Sequence, residues 1–209
     1  MAAAVRSRGA PWAHWARAAS SGAPPLRVLK ANRDANVGAL AGAIRHELVN
    51  MPSVGLEAVG PRAQLKALKA MIFASEYLHE ERPGMQVAAD PRREEIPPKG
   101  DLPGTSGIRF YLSLVPEQVL AEADMMFSQS TNPGVAATEL AEKMTQRNLV
   151  TLSGMGENAI SMALKAVIIA RTRLKLEEQD ALLVAPSMQA VGDYKRVLLQ
   201  CQRGTARHG

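Results

Sequence analysis

The chain has 209 residues, enough for one medium-sized domain or two small ones, and 46% of them are hydrophobic, so a packed core is possible. The single cysteine, Cys201, excludes an internal disulfide, and no run approaches the roughly 18 consecutive apolar residues of a membrane span. The net charge of +5 suggests a nucleic-acid-binding protein, but its distribution does not. Six of the 25 basic residues and no acidic residue lie in residues 1–33, which leaves 19 basic against 20 acidic residues. The excess charge therefore belongs to the start of the chain.

Residues 1–25 are rich in Ala, Arg and Ser and contain no acid. This composition is typical of a transit peptide for an organelle, and it lacks the apolar run of a secretory signal. We expect import into the mitochondrial matrix, with the chloroplast as the alternative, and a processing site near residues 17–20. A basic tail that stays on the protein and binds an acidic partner is the other interpretation.

A repeat of 96 residues follows the leader. Without gaps, residues 36–74 overlay residues 132–170 with 13 identities in 39 pairs. Two diverged copies of one unit explain this match: copy 1 over residues 26–115, copy 2 over residues 116–203, and a short tail over residues 204–209.

Each copy shows the same succession of predicted elements. A strand (26–31; 124–129) precedes a helix (36–50; 133–148), and a second strand (54–59; 149–153) precedes a long helix (61–80; 157–178). Two strands then close each copy (85–89 and 107–115; 181–185 and 192–200). The hairpin loop between them is long in copy 1, residues 90–107, and short in copy 2. The order βαβαββ predicts an α/β (α+β) unit, a mixed sheet with both helices on one face.

Alanines recur along one face of each long helix, at positions 63, 67, 70 and 74 and again at 159, 163, 166 and 170. Such a stripe packs on the sheet of its own copy, or it also lets the two copies meet.

The segments NVGALAGAIRHEL, VGLEAVG and ALKA of copy 1 resemble the stage V sporulation protein S family, which has the Alba-like fold. Copy 2 matches more weakly. Members of the Alba-like superfamily bind RNA or DNA, commonly as dimers. The resemblance therefore implies nucleic-acid binding, with RNA favoured, and two copies that form an internal pseudo-dimer.

In that superfamily, nucleic acid meets the loop after the first strand, the start of the second helix and the hairpin. The matching residues of copy 1 are Lys30, Asn32, Arg33, Arg62, Lys66, Lys69, Arg92, Arg93 and Lys99. Lys195 and Arg196 are the cations that copy 2 offers, together with the polar residues Gln129, Thr131, Asn132 and Asn158. Glu157 at a helix start would repel phosphate, so we expect copy 1 to be the better binder. Ordinary solvated surface charges are the alternative for the whole set.

Two further features have competing interpretations. Lys69 and Lys165 occupy matching positions in the two copies. Either the pair contacts a shared ligand, or both are ordinary surface lysines. Gly154-Met-Gly156-Glu-Asn-Ala159 imitates a dinucleotide-binding motif, but only about 50 residues follow it, too few for that fold.

Enzymatic features are sparse. The four histidines are far apart in the sequence, no pair has metal-ligand spacing, and no cofactor is expected. We predict an organellar, non-enzymatic nucleic-acid-binding protein. The first alternative is a structural subunit of a large organellar ribonucleoprotein such as the mitochondrial ribosome, and a nucleotide-binding enzyme is a minor one.

Overall fold

The computed structural model describes residues 26–96, 105–119 and 122–205, so the predicted leader and Lys99 lie outside the described residues. The strands are β1 (Val28–Ala31), β2 (Val54–Ala58), β3 (Met85–Ile96), β4 (Thr105–Pro116), β5 (Met125–Phe127), β6 (Leu149–Gly154), β7 (Asp180–Val191) and β8 (Tyr194–Thr205). The helices are α1 (Val37–Asn50), α2 (Pro61–Leu78), α3 (Pro133–Gln146) and α4 (Glu157–Arg173). Among these described helices, none is long and apolar enough to cross a membrane.

The first helix of each copy begins at an asparagine cap. The Asn36 side chain accepts a hydrogen bond from the Ala39 amide at 3.0 Å, and Asn132 accepts from the Gly134 and Val135 amides. An N-cap acceptor satisfies amides that the first helical turn leaves unpaired. The capping asparagines therefore determine where α1 and α3 start.

The eight strands form one sheet in the order β1-β2-β4-β3-β7-β8-β6-β5. Within copy 1, β1 is parallel to β2, while β2 and β3 both lie antiparallel to β4. Copy 2 repeats this arrangement with β5, β6, β8 and β7. The predicted pair of βαβαββ units with mixed sheets is confirmed.

Alternate strand residues enter one core together with the helices, so the helices cover one face of the sheet. Leu56, Phe110, Val184 and Leu199 belong to this core, which extends through both copies. The opposite face of the central strands carries a smaller apolar cluster around Ala88 and Leu183.

Both alanine stripes are buried in this core, with an exposed fraction of 2% or less at every position. Helices α2 and α4 contact each other, and each also contacts the strand of the other copy nearest the junction. Small side chains permit such close approach of backbones. The stripes therefore pack within each copy and also lie where the two copies meet.

The hairpins extend further than the sequence pattern predicted. Residues 90–96 and 105–107, expected in a loop, are paired in β3 and β4, and β7 continues to Val191. The stretch after Asp90 is highly charged, and its pairing rests on side chains of β4: the Tyr111 hydroxyl donates to Glu94 Oε1 at 3.0 Å. Such cross-strand partners cannot be seen in the local pattern.

Helix α4 ends at Arg173, five residues before the predicted end. Lys175 adopts a left-handed conformation with φ +52°, which stops the helix. The Asp180 carboxylate accepts from the Glu177 amide at 3.0 Å, and Arg171 donates to the carbonyls of Glu177 and Asp180. Tertiary contacts of this loop therefore replace the last predicted turn.

Candidate nucleic-acid interface

Three segments of copy 1 lie at one edge of the sheet. Since β1, β2 and β3 run in the same direction, their carboxyl ends lie at the same edge. This edge carries the loop 32–36, the start of α2 and the far end of the β3–β4 hairpin. Lys66 Nζ donates to the Ala35 carbonyl at 2.7 Å and so connects α2 to the loop.

The side chains at this edge differ in exposure. Lys30, Arg33, Arg62 and Arg93 are exposed, while Lys66 and Lys69 are half-buried. Arg33 lies 3.7 Å from Asp34, and both side chains are at least 75% exposed. The attraction within an ion pair so open to water is weak. Asn32 uses its side-chain oxygen to accept from the Asp34 amide at 2.9 Å, which shapes the loop.

The neighbours Arg92 and Arg93 point to opposite faces of the hairpin, as successive strand residues do. Arg92 Nε and Nη2 lie 2.9 Å and 2.8 Å from Asp90 Oδ2, and the Arg92 guanidinium lies 5.4 Å from the centre of the Tyr111 ring. Asp90 is 2% exposed, so Arg92 neutralises a buried carboxylate. Arg93 is exposed and donates to Ser106 Oγ at 3.4 Å.

A network of charges extends from Arg92 over the face opposite the helices. Arg109 pairs with Glu57 at 2.5 Å, across β4 and β2. Burial, together with the nearby Glu94 carboxylate, raises the pKa of Tyr111 to about 12. The Arg109–Glu57 pair thus connects β4 to β2, and the hydrogen bond from Tyr111 to Glu94 connects β4 to β3.

The hairpin of copy 2 differs from that of copy 1. Its loop is the two-residue turn Gly192–Asp193, with φ +57° at Gly192. Lys195 is exposed, whereas Arg196 donates to Gln189 Oε1 at 2.8 Å. Because β7 is antiparallel to β3, this hairpin points in the opposite direction along the sheet, and the structure does not bring Lys195 and Arg196 to the copy 1 edge.

The sequence pattern missed an exposed aromatic residue. Tyr194, beside Lys195, is 68% exposed at the tip of the copy 2 hairpin. An exposed aromatic ring is chemically able to stack on a nucleic-acid base. Its position directly after a Gly-Asp turn is the signal that could have identified it.

The model of one family, stage V sporulation protein S (SpoVS), matches the chain twice, over residues 27–114 and over residues 123–195. The chain belongs to the SpoVS family. The first match covers copy 1, and the second covers copy 2 up to the start of β8, as the repeat predicted. Among curated proteins, none matches the chain.

The second SpoVS copy uses its polar residues mainly for its own structure. Thr131 accepts from the Ser128 amide at 2.9 Å, and Asn132 caps α3. Glu157 lies in the first turn of α4, where its charge stabilises the helix. Gln129 and Asn158 are exposed.

The glycine motif of copy 2 has a structural explanation in the SpoVS unit. Gly60 and Gly156 occupy the same position in the two copies, each with φ +82° directly before its long helix. A side chain at Gly154 would meet Ile160 at 3.1 Å and Ala159 at 3.5 Å. The motif therefore allows a tight strand-to-helix connection. Among the described residues, no group of His, Cys, Asp and Glu could hold a metal ion.

The matched lysines have different surroundings. Lys69 is half-buried on α2, whereas Lys165 is exposed on α4 and lines a cavity between the SpoVS copies. That cavity also receives Arg93 from the hairpin of copy 1.

Proposed function

We propose that this SpoVS-family protein is a non-enzymatic RNA-binding protein of the mitochondrial matrix, in which the two copies act as an internal pseudo-dimer. The main support is the edge of copy 1, where Lys30, Arg33, Arg62 and Arg93 are exposed on three segments that the sheet brings to one side. Exposed cations near a helix N-terminus attract phosphates. The resemblance to Alba-like proteins predicts binding through the same segments.

The test measures binding of the full-length protein to a fluorescent single-stranded RNA at several salt concentrations. The affinity should fall steeply with salt. Arg33→Ala and Arg62→Ala should each weaken binding to all sequences alike and lower the salt slope by roughly 1, as the loss of one phosphate contact does.

Arg82→Ala is the matched control. It removes one exposed arginine from the connection between α2 and β3, outside the proposed edge, and should leave both the affinity and the salt slope unchanged. Equal losses in all three variants would show that only net charge matters and would contradict a specific edge.

A structural subunit of an organellar ribonucleoprotein is the second candidate. It is favoured by apolar side chains exposed on copy 2, with Met126 66% and Val135 70% exposed. Such side chains suit contact with another protein. If the purified chain binds no RNA but sediments with mitochondrial ribosomal particles, this candidate replaces autonomous binding.

A further inference from the structure

The two outermost strands of the sheet, β1 and β5, occupy the same position in the two copies. Among the described residues, β1 pairs only with β2, and β5 pairs only with β6. An unpaired strand edge offers backbone N–H and C=O groups to a strand of another chain, and proteins prevent such pairing with charged side chains, especially lysine. The side chains of each outer strand therefore indicate whether its edge is protected.

The two outer strands differ at a matched position. β1 carries the exposed Lys30, whereas β5 carries Met126, which is 66% exposed. A second difference lies on the helix beside each strand, where Ala39 of α1 corresponds to Val135 of α3, which is 70% exposed. Copy 2 thus has two large apolar side chains where copy 1 has a charged one and a small one. The edge of β1 is protected by charge, and the edge of β5 is not.

A groove of about 370 Å³ lies between β5 and α3. All three residues of β5 line it, together with Val135, Ala136 and Glu139 of α3 and polar residues of the adjoining loops. Met126 and Val135 therefore border one groove and are not isolated exposed side chains, which would need no explanation. This surface of copy 2 combines an unpaired strand with apolar side chains.

The carboxylates around this groove have cationic partners within the chain. Asp124 Oδ1 lies 2.7 Å from Arg147 Nη2. Glu139 Oε1 lies 3.5 Å from Lys143 Nζ of the same helix. Nucleic acid is bound through cations that are free to contact phosphates, and a basic segment is bound through free carboxylates. The balanced charges of the groove favour an occupant that is itself neutral and apolar at its edge, as β5 is.

The molecule already joins two strand edges in its interior. β3 and β7 meet antiparallel at the pair Ala89–Val184, and α2 contacts α4 beside them. A two-fold axis at the middle of β5 brings a second copy of the chain into the same relation, with β5 antiparallel to its counterpart and α3 beside its counterpart. Met126 then faces the same residue of the other chain. The equivalent contact at β1 brings two Lys30 side chains together, and like charges in facing positions are destabilising.

We propose that the chain forms a homodimer through β5 and α3, which extends the sheet across a two-fold axis. β5 has three residues, so the contact is small and the association is weak, with a dissociation constant on the order of micromolar. This inference does not depend on RNA binding.

Sedimentation equilibrium of the full-length chain over a range of concentrations measures the association. The wild type should show a reversible equilibrium between monomer and dimer. Met126→Lys introduces the residue that copy 1 carries at the matched position, so the fold accepts it. It should raise the dissociation constant at least about tenfold, because like charges then face each other. Thermal unfolding checks that this variant remains folded.

Val191→Lys is the matched control. It adds the same charge at a residue that is 44% exposed at the end of β7, three strands away from β5. The dissociation constant should be unchanged. Equal losses in Val191→Lys and Met126→Lys would show that net charge alone governs association and would overturn the assignment to β5.

Met126→Cys tests the two-fold geometry. Facing residues of an antiparallel pair have Cα atoms about 4.5–5.5 Å apart, a separation that a disulfide can span. The native Cys201 is buried and does not compete. With oxidised glutathione, Met126→Cys should form a covalent dimer, and Val191→Cys under the same conditions should not.

Three further results would overturn the proposal. A wild-type chain that is monomeric at every concentration excludes the dimer. Dimers that Met126→Lys leaves unchanged place the contact elsewhere on the chain. A monomeric chain that sediments with ribosomal particles, and loses this in Met126→Lys, assigns the edge of β5 to a different protein.

Discussion

Ala89 of β3 and Val184 of β7 form the cross-strand pair at which the two copies join into one sheet. Pro91 and Pro186 lie two residues further along each strand, and neither has an N–H group to extend the ladder. On the other side of Ala89, the Val87 amide donates to Ser75 Oγ of α2 at 2.9 Å. Beside the junction, a side chain of α2 therefore pairs with a backbone amide of β3.

Ser75→Ala should lower the free energy of unfolding by about 1–3 kcal/mol, because the Val87 amide, in a fully buried residue, would lose its acceptor. Urea denaturation measures this change. Thr145→Ala is the control, since among the described residues the Thr145 hydroxyl donates only to the Ala141 carbonyl of its own helix. Equal effects of the two substitutions would contradict a stabilising role of Ser75 as the acceptor for the Val87 amide.

Gly60→Ala and Gly156→Ala should each destabilise the protein by about 1–3 kcal/mol, because a φ of +82° is strained for any residue with a Cβ atom. Gly42→Ala should have the opposite sign. Gly42 lies inside α1 with nothing within 4 Å of an added Cβ, and alanine is favoured there by about 0.5–1 kcal/mol. Thermal and urea unfolding of the three variants test this contrast, and destabilisation by all three would refute the conformational argument.

Arg92→Ala and Arg93→Ala should differ in kind. Arg92→Ala leaves the buried Asp90 carboxylate without its ion-pair partner and should lower stability by about 3–5 kcal/mol. Arg93→Ala should unfold like the wild type and bind RNA more weakly. Denaturation and RNA titration of both variants separate the two roles; a loss of RNA affinity in a fully stable Arg92→Ala protein would reverse the assignment.

Tyr111 should make stability depend on pH in the alkaline range. Its folded pKa of about 12 exceeds the ordinary value of 10.0, so its contribution is fully present below pH 10 and is lost as pH rises toward 12, where the unfolded tyrosine ionises first. Tyr111→Phe should reduce the fall in the free energy of unfolding over this interval. The reference for each protein is its free energy of unfolding at pH 7, well below the range in which tyrosine ionises. Parallel curves for the two proteins between pH 10 and 12 would be evidence against this titration.

Cys201 should be unreactive in the folded protein. Burial raises the pKa of its thiol to about 12, and the side chain is fully enclosed in the core. Thiolate is the nucleophilic form, so a thiol reagent at pH 8 should label the native protein far more slowly than the denatured protein. Rapid labelling under native conditions would show that the core opens locally around β8.

Local signals in the sequence were sufficient to predict many of the helices and strands of the fold. The Asn132-Pro133 pair predicted the start of α3, and the repeat predicted that copy 2 has the elements of copy 1. These signals act over a few residues, through caps and hydrophobic periodicity, and are therefore visible in the chain. The charged stretch after Asp90 was mistaken for a loop because its partners belong to β4.

The sequence by itself determined that the protein consists of two SpoVS units and where its cations lie. Only the tertiary structure decided that Ala89 pairs with Val184, that Arg92 faces a buried carboxylate, and that Gln64 and Lys165 line one cavity. Gln64 and Lys165 come from different copies, about a hundred residues apart in the chain. Their proximity follows from how the two copies join, and no spacing within either copy encodes that contact.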